Sequence, residues 1–221
     1  NIPAEKTFTI GGGATLNVNG VANTIDKKYV YNNFLNNGTM NLSAENVVIG
    51  SITNNNTLEV KKVAKVGKLT TGSESTTTVN ADLNAGIANE GKLINNANAL
   101  NINSASTNTG TVNNNNVIHI KDVEWTNNGT ISNAADAKII SGVAQAENLG
   151  KYAYLKNYGT INNYGFMYCY NGDNFIFNEG TINAKEGSTT YITRNSKEDE
   201  AATETRSNKM GTINMETRNE D

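Results

Sequence analysis

The stretch WTNNGTISN, residues 125–133, decides the fold because the chain repeats it many times. It returns as LKNYGTINN at residues 155–163 and as IFNEGTINA at residues 176–184. Each copy places an apolar residue, an asparagine, a glycine and a second apolar residue at alternate positions. A unit that recurs in this form is typical of a repeat architecture.

Eight copies of this motif align when the glycine is taken as position zero. Asparagine occupies position −2 in every copy except the last, where Lys209 stands. Position −4 holds Ser106 and Ser207 in two copies and is apolar in the others. Position +2 is always apolar, and position +1 is threonine except at Lys92. Position zero is held by Gly38, Asn56, Gly91, Gly110, Gly129, Gly159, Gly180 and Gly211.

The residue types of the motif predict a short strand that leaves a sharp corner. Glycine adopts positive φ angles without steric cost, and asparagine visits the same region, which would explain Asn56 at position zero. Threonine and isoleucine are β-branched and favour extended backbone. A second apolar cluster, which indicates another strand, follows within about ten residues. These clusters are residues 47–49, 100–102, 117–120, 138–140, 166–168 and 191–193.

The spacing of the copies predicts that each one is a coil of a β-solenoid. Gly91, Gly110 and Gly129 follow one another at intervals of 19 residues, and Gly159 and Gly180 are 21 apart. Such a unit cannot bury its apolar face alone, so coils stack and place like residues above like at ~4.8 Å. The asparagines at position −2 would then form a ladder of side-chain amides.

The predicted fold class is all-β, a single-stranded right-handed parallel β-helix of about nine to eleven coils with about 19-21 residues each. The right hand is favoured because two longer gaps, Gly129 to Gly159 and Gly180 to Gly211, indicate insertions at corners, which right-handed helices tolerate better. Residues 1–30 are expected to form N-terminal cap strands, since a solenoid must cover its open ends. Residues 31–221 form the solenoid, with a charged loop insertion at about residues 196–209.

Composition excludes several classes of function. About forty of the 221 residues are asparagine, and the formal net charge of −3 offers no basic face to nucleic acid. No segment approaches the ~20 apolar residues of a transmembrane helix. No signal peptide is visible, so either the mature protein begins at Asn1 or preceding residues have been removed. One histidine and one cysteine, Cys169, leave no basis for a disulfide or a zinc site, and no cofactor is predicted.

The Asn-x-Gly-Thr-Ile repeats resemble those of right-handed parallel β-helix proteins on bacterial surfaces. They are similar in particular to asparagine-rich exported proteins of Bacteroides-like bacteria and, more loosely, to the repeats of filamentous haemagglutinin-type adhesins. The resemblance covers residues 34–215. It implies a secreted or surface-anchored protein with an adhesin-like role.

A catalytic site is the alternative to a binding role, because several β-helix proteins are polysaccharide lyases or hydrolases. Such enzymes need clustered carboxylates with a basic residue nearby. The best local candidate is the set His119, Lys121, Asp122 and Glu124. Alternation with inward Ile118 and Ile120 would point His119 and Lys121 outward, which solvent exposure alone also explains. His119 is therefore expected to be a solvated surface residue and the protein to be non-enzymatic.

Aromatic residues crowd between residues 152 and 177. Rings stacked inside the coils would stabilise the core, whereas exposed rings could stack on sugars. The phenylalanines are expected in the core. The candidate ligand contacts are Tyr152, Tyr154, Tyr158, Tyr164, Tyr168 and Tyr170.

The function expected from these observations is that of an extracellular or cell-surface structural module. It would be adhesin-like and would contact carbohydrate or other components of host or bacterial surfaces without catalysis. Solenoids commonly bind through such extended, repetitive exteriors. A carbohydrate-active β-helix enzyme and a passive spacer that displays another domain are the alternatives. The pattern does not define an oligomeric state.

Overall fold

The computed structural model describes residues 7–19, 33–121, 123–142, 154–169, 175–190 and 212–215, and it is a parallel β-solenoid. Within these ranges the chain forms 24 strands and no helix. The strands pair in parallel and assemble into a 14-stranded and a 10-stranded sheet. The predicted all-β solenoid is confirmed.

Each coil has three sides. Side 1 is the 10-stranded sheet, in which every strand has four residues and pairs with the equivalent strand of the next coil. It consists of β2 (Thr15–Val18), β4 (Thr39–Leu42), β6 (Thr57–Val60), β8 (Thr76–Val79), β10 (Lys92–Asn95), β13 (Thr111–Asn114), β16 (Thr130–Asn133), β19 (Thr160–Asn163), β22 (Thr181–Ala184) and β24 (Thr212–Met215).

Sides 2 and 3 together form the 14-stranded sheet. Three long strands run along both sides: β5 (Val47–Asn54), β7 (Ala64–Thr71) and β9 (Leu83–Asn89). The other strands of side 2 are β11 (Leu100–Ile102), β14 (Val117–Ile120), β17 (Lys138–Ser141), β20 (Phe166–Cys169) and β23 (Thr189–Thr190). Those of side 3 are β1 (Thr7–Ile10), β3 (Asn33–Asn36), β12 (Ser106–Asn108), β15 (Glu124–Asn127), β18 (Tyr154–Asn157) and β21 (Phe175–Asn178). The predicted second apolar clusters thus belong to side 2, except residues 191–193, which lie outside the described residues.

Eight coils have all three sides within the described residues, which gives about seven turns from the first to the last, and incomplete coils flank them. Side 1 has ten strands, so the predicted nine to eleven coils are reached when the incomplete coils are counted. The interval of about 19 residues between coils agrees with the prediction. The ten stacked strands of side 1 span about 43 Å at ~4.8 Å per step. The right hand stays a prediction.

Two apolar columns predicted by the motif line the interior. The exception at position −4, Ser106, is paired in register with Trp125, so a small side chain neighbours the largest one in the column. Burial of each large aliphatic side chain contributes roughly 1.5–3 kcal/mol. Position +2 contributes Met40, Leu58, Leu93, Val112, Ile131, Ile161 and Ile182, and position −4 contributes Phe34, Ile52, Ile87, Trp125, Leu155 and Ile176.

The asparagines at position −2 form the predicted amide ladder, at the corner between sides 3 and 1. The Nδ2 of Asn108 donates to the Oδ1 of Asn127 at 2.6 Å, and the Nδ2 of Asn127 donates to Asn157 at the same distance. Asn127 also donates to the carbonyl of Gly129, two residues later in its own coil. The ladder therefore satisfies polar groups at a corner that is closed to water. Its buried members are Asn36, Asn54, Asn89, Asn108, Asn127, Asn157 and Asn178.

Replacing Asn127 with Ala is expected to lower the free energy of unfolding by about 2–4 kcal/mol, because two buried amides lose a partner. These are the Nδ2 of Asn108 and the Oδ1 of Asn157. Denaturation in urea, followed by circular dichroism, measures the loss. Asn128→Ala is the matched control because Asn128 is exposed. Equal losses for the two variants would contradict a stabilising role of the ladder.

One coil lacks the motif, and the sequence analysis missed it. In this coil Thr71 takes the place of the ladder asparagine, since it pairs in register with both Asn54 and Asn89. The Thr71 hydroxyl bonds to the Thr77 hydroxyl at 3.0 Å, and Asn54 also donates to Thr77. The Oδ1 of Asn89 is buried without a hydrogen-bond partner. In a continuous ladder, an asparagine at position 71 would donate to this oxygen, but Thr71 occupies that position.

Thr71→Asn is expected to raise the free energy of unfolding by about 1 kcal/mol, because the new amide could donate to the unpartnered oxygen of Asn89. The urea midpoint at an unchanged m value measures this gain. Thr70→Asn, one residue earlier and on the outside of the coil, is the control. A midpoint lowered by Thr71→Asn would show that this corner has no room for the amide.

A second buried ladder, which the sequence analysis did not predict, lies at the corner between sides 1 and 2. Asn95 donates to Asn114 at 2.8 Å, and Asn133 donates to Asn163 at the same distance. Asn114 joins the two pairs by donating to Asn133 at 2.7 Å. These asparagines share position +4 of the motif. In the preceding coils the same column is aliphatic, with Leu42, Val60 and Val79.

The corner glycines are needed for close stacking, and the prediction that they adopt positive φ is wrong. None of the described residues at position zero, Asn56 included, has φ in the left-handed region. The Thr130 N–H donates to the Gly110 carbonyl at 2.9 Å and so holds that oxygen against Gly129. A Cβ at residue 129 would overlap the same oxygen. The carbonyl of the neighbouring coil therefore excludes a side chain at this corner.

Three segments outside the described residues follow strands of side 2. Residues 143–153 follow β17, residues 170–174 follow β20, and residues 191–211 follow β23. The predicted charged loop at residues 196–209 lies outside the described residues.

Two strands lie within the predicted N-terminal cap, residues 1–30. β1 pairs in parallel with β3, and β2 pairs in parallel with β4, so both extend the sheets of the following coils. Phe8 of β1 is 41% exposed and packs edge-on against Phe34, with ring centroids 5.9 Å apart. The capping role of this segment stays a prediction.

Candidate ligand-binding surface

The predicted tyrosine contacts lie on different parts of the rod. Tyr158 is at the corner before β19 and Tyr164 at the corner after it, and they are 45% and 46% exposed. Tyr168 is half-buried on side 2, and Tyr154 belongs to β18 of side 3. The described tyrosines therefore do not share one face, but two of them flank one strand of side 1. Tyr152 and Tyr170 lie outside the described residues.

The expectation that the phenylalanines lie in the core is wrong for Phe166, which is 39% exposed on side 2. Its neighbour Met167 takes the inward position instead, because successive side chains of a strand point to opposite faces. Phe177 is half-buried and packs edge-on against Tyr158, with ring centroids 6.4 Å apart and planes at 64°. This pair forms an aromatic contact at the surface, close to the corner between sides 3 and 1.

The residues of the catalytic alternative lie on two sides of the coil. His119 alternates with inward Ile118 and Ile120 on β14, as predicted. However, it is half-buried and its Nε2 is hydrogen-bonded to the Gly142 carbonyl, so the expected solvated histidine is wrong. Glu124 lies on side 3. Lys121 follows β14 in the connection between the two sides, and Asp122 lies outside the described residues.

The acidity of Glu124 is perturbed by its hydrogen-bond partners. A hydrogen bond from Lys156 lowers the pKa of its carboxyl below 4.5, and a second hydrogen bond from Thr126 acts in the same direction. The Lys156 Nζ lies 2.7 Å from the Glu124 Oε2, one coil away. A general acid needs a raised pKa, so this carboxylate is better suited to an ion pair between coils.

Glu124→Gln is expected to reduce the loss of stability in acid. Because the pKa of Glu124 is lowered on folding, its charge stabilises the folded chain above pH 4.5, and this contribution is lost as the pH falls through the lowered pKa. Both partners are more than a third exposed, so the effect at neutral pH is about 0.2–1 kcal/mol. Urea unfolding at neutral and acid pH measures it. Glu90→Gln, an exposed residue with no ion pair among the described residues, is the control; equal changes would contradict the assignment.

Side 1 presents two columns of small polar side chains, which the sequence analysis did not recognise as a surface. Positions +1 and +3 point outward there, since positions +2 and +4 are buried. The sequence signal for this surface was the threonine that follows the corner glycine in most copies. Packing inside the coil does not require threonine at this outward position. In β13, β16, β19 and β22 the columns are Thr111, Thr130, Thr160 and Thr181, and Asn113, Ser132, Asn162 and Asn183. These eight residues are called the Thr/Asn face below.

The fold and its buried amides define the class of this protein: it is a parallel β-solenoid with asparagine ladders. Comparison with protein-family models, with curated proteins and with solved structures finds no match to the chain. Among the described residues, no helix is long and apolar enough to cross a membrane. No group of three or more His, Cys, Asp or Glu side chains in that part of the chain is arranged to hold a metal ion.

Proposed function

We propose that this protein is an extracellular or cell-surface structural module of adhesin-like character, which contacts glycans or other surface ligands without catalysis. The observation that carries the proposal is the exposure of Tyr158 and Tyr164 at the two corners that flank β19. Tyrosine offers an apolar ring and a polar hydroxyl at little conformational cost, and this combination suits sugar rings.

The solenoid supports this role because it repeats the same polar exterior at each coil. A ligand that is itself repetitive can then make several weak contacts at once, which raises its overall affinity without any strong single site. The resemblance to asparagine-rich right-handed β-helix proteins of Bacteroides-like bacteria supports a location outside the cell. Antibody labelling of intact source cells tests this location, and labelling that requires permeabilised cells would contradict it.

A glycan array probed with the purified protein tests the binding role. We expect binding to at least one class of microbial or host glycan, weakened at least tenfold when Tyr158 and Tyr164 are both replaced with Ala. Phe166→Ala is the matched control, since it removes an exposed aromatic ring from side 2. Absence of binding across the array would contradict the proposal and favour a passive spacer.

A further inference from the structure

We infer that the Thr/Asn face binds an uncharged, extended polysaccharide that runs along the axis of the rod, with one sugar unit per coil. This inference rests on the proposed function, and it names the surface and the ligand class. It is carried by the juxtaposition of threonine hydroxyls and small polar side chains on β13, β16, β19 and β22 with the two exposed tyrosines that flank β19.

The face has the repeat that such a ligand needs. Thr130 pairs in register with Thr111 on one neighbouring coil and with Thr160 on the other. Successive threonines are therefore ~4.8 Å apart along the axis, and the second column lies ~6.6 Å away along each strand. A pyranose unit in an extended chain has about the length of one coil step. Four coils accordingly offer a threonine and a second small polar side chain to about four consecutive units.

The threonine hydroxyls of this face are available for hydrogen bonds. Those of Thr111, Thr130, Thr160 and Thr181 have no hydrogen-bond partner among the described residues. Each hydroxyl can donate one hydrogen bond and accept others, which matches the hydroxyl groups of a sugar. The asparagine column is more constrained, since the Nδ2 of Asn183 donates to Asn162 at 2.8 Å. The threonine column is therefore expected to make the contacts that matter most for affinity.

The charges around the face favour an uncharged ligand. None of its eight residues is ionisable, and the flanking corners carry both signs of charge, with Asp136, Glu179 and Glu186 as acids and Lys138 and Lys185 as bases. A polyanionic chain such as a polyuronate would lose hydration of its carboxylates against a face that offers no cation in return. A neutral chain meets hydroxyls, amides and threonine methyl groups without that penalty.

The exposed tyrosines give the face its borders. Tyr158 precedes β19 and Tyr164 follows it, so the ends of this strand carry one ring each. A sugar unit that lies across β19 could stack its apolar face on either ring while its hydroxyls bond to Thr160. The strands β13, β16, β19 and β22 pair in register from coil to coil, so the face is continuous along the axis.

Threonine also favours strands in general, so a purely structural explanation has to be separated by experiment. Side 3 supplies a matched control, because Thr53, Thr70 and Thr107 are outward threonines on strands of the same solenoid. The test variant is Thr111→Val, Thr130→Val and Thr160→Val combined. The control variant is Thr53→Val, Thr70→Val and Thr107→Val combined. Valine keeps the branched shape and the strand preference and removes only the hydroxyl.

Affinity electrophoresis of the folded proteins measures binding to a panel of soluble polysaccharides. The panel contains hydroxyethyl cellulose, galactomannan, arabinoxylan and mixed-linkage β-glucan as neutral chains, with polygalacturonate as the polyanion. We expect at least one neutral chain to retard the protein, with at least a tenfold weaker apparent affinity for the side 1 variant and less than a twofold change for the side 3 variant. A second variant, Thr130→Lys, should also block binding, and Lys92 shows that the same column accommodates this side chain.

Three results would overturn the inference. Retardation by polygalacturonate alone would assign the wrong ligand class, and equal losses for the side 1 and side 3 variants would assign the wrong surface. In both cases the proposed glycan-binding function would stand. Absence of retardation by every polysaccharide, together with a silent glycan array, would overturn both the inference and the proposed function.

Discussion

Replacing Ile131 with Asp is expected to abolish the cooperative unfolding transition of the solenoid. Ile131 is fully buried in the column of position +2, between Val112 and Ile161 of the neighbouring coils. The change removes roughly 1.5–3 kcal/mol of hydrophobic burial and adds a buried charge that costs several kcal/mol. Their sum is comparable with the ~5–15 kcal/mol of total stability typical of a domain. Thermal and urea unfolding followed by circular dichroism are the measurements.

Two variants make this expectation specific to the interior column. Ser132→Asp places the same charge one residue later, on the outside of β16, and should change the stability by less than about 0.5 kcal/mol. Ile131→Val removes a single methylene and should cost about 0.5–1.5 kcal/mol. Native-like melting of the Ile131→Asp protein would mean that this column does not form the core of the rod.

Gly129→Ala is expected to destabilise the protein by about 3 kcal/mol or more, at the upper end of what overpacking costs. The added Cβ would overlap the Gly110 carbonyl oxygen and lie 2.7 Å from the Thr109 carbonyl carbon. These atoms belong to the backbone of the preceding coil, so they cannot rotate away as a side chain would. The Gly110 oxygen also accepts the hydrogen bond of the Thr130 N–H, which relief of the clash would weaken.

Gly12→Ala is the matched control for this substitution. The nearest atom to a Cβ at residue 12 is the Asn37 carbonyl oxygen, at 3.9 Å, which is an ordinary contact. Its stability should change by less than about 0.5 kcal/mol. Equal effects of the two alanines would argue that the cost comes from restricting glycine in general and not from the stacked carbonyl.

The fold could be predicted from the sequence because the interior of a solenoid repeats. Ile131 and Asn127 recur at the same positions in other copies, since each stacks on its counterpart in the next coil. The coil of β7 and β8 escaped detection because Thr71 stands where the other copies have the ladder asparagine. Thr71 and Thr77 satisfy the corner with hydroxyls, so the chemistry is preserved although the residue pattern is not.

The reason for the corner glycines could not be read from local conformation. Residue types suggest a turn with positive φ, whereas the close approach of the Gly110 carbonyl to Gly129 depends on stacking between coils. The second ladder was visible in principle, because Asn114 and Asn133 stand at equal distances from their glycines. It required the knowledge that position +4 points inward, which the register of β13 and β16 supplies.

The candidate site was less predictable, because outward side chains are not constrained by the stacking that repeats the core. The aromatic crowding suggested one binding patch, but Tyr158 and Tyr164 are separated by the whole of β19 and Tyr168 lies on side 2. Sequence distance is a poor guide here, since one coil of about 19 residues passes around the entire circumference. The Thr/Asn face emerges when residues from four coils are aligned by strand register.

The change from aliphatic to amide side chains at position +4 gives the first coils and the central coils of the rod different responses to temperature. Leu42, Val60 and Val79 stabilise the first coils by hydrophobic burial, which weakens on cooling. From Asn95 to Asn163, hydrogen-bonded amides take over this column, and Ala184 and Met215 follow them in the last coils. Since each coil of a solenoid contacts its immediate neighbours, loss of order can spread from one end. Cold would therefore loosen the rod from its N-terminal coils, while the amide-lined coils of β10, β13, β16 and β19 stay closed.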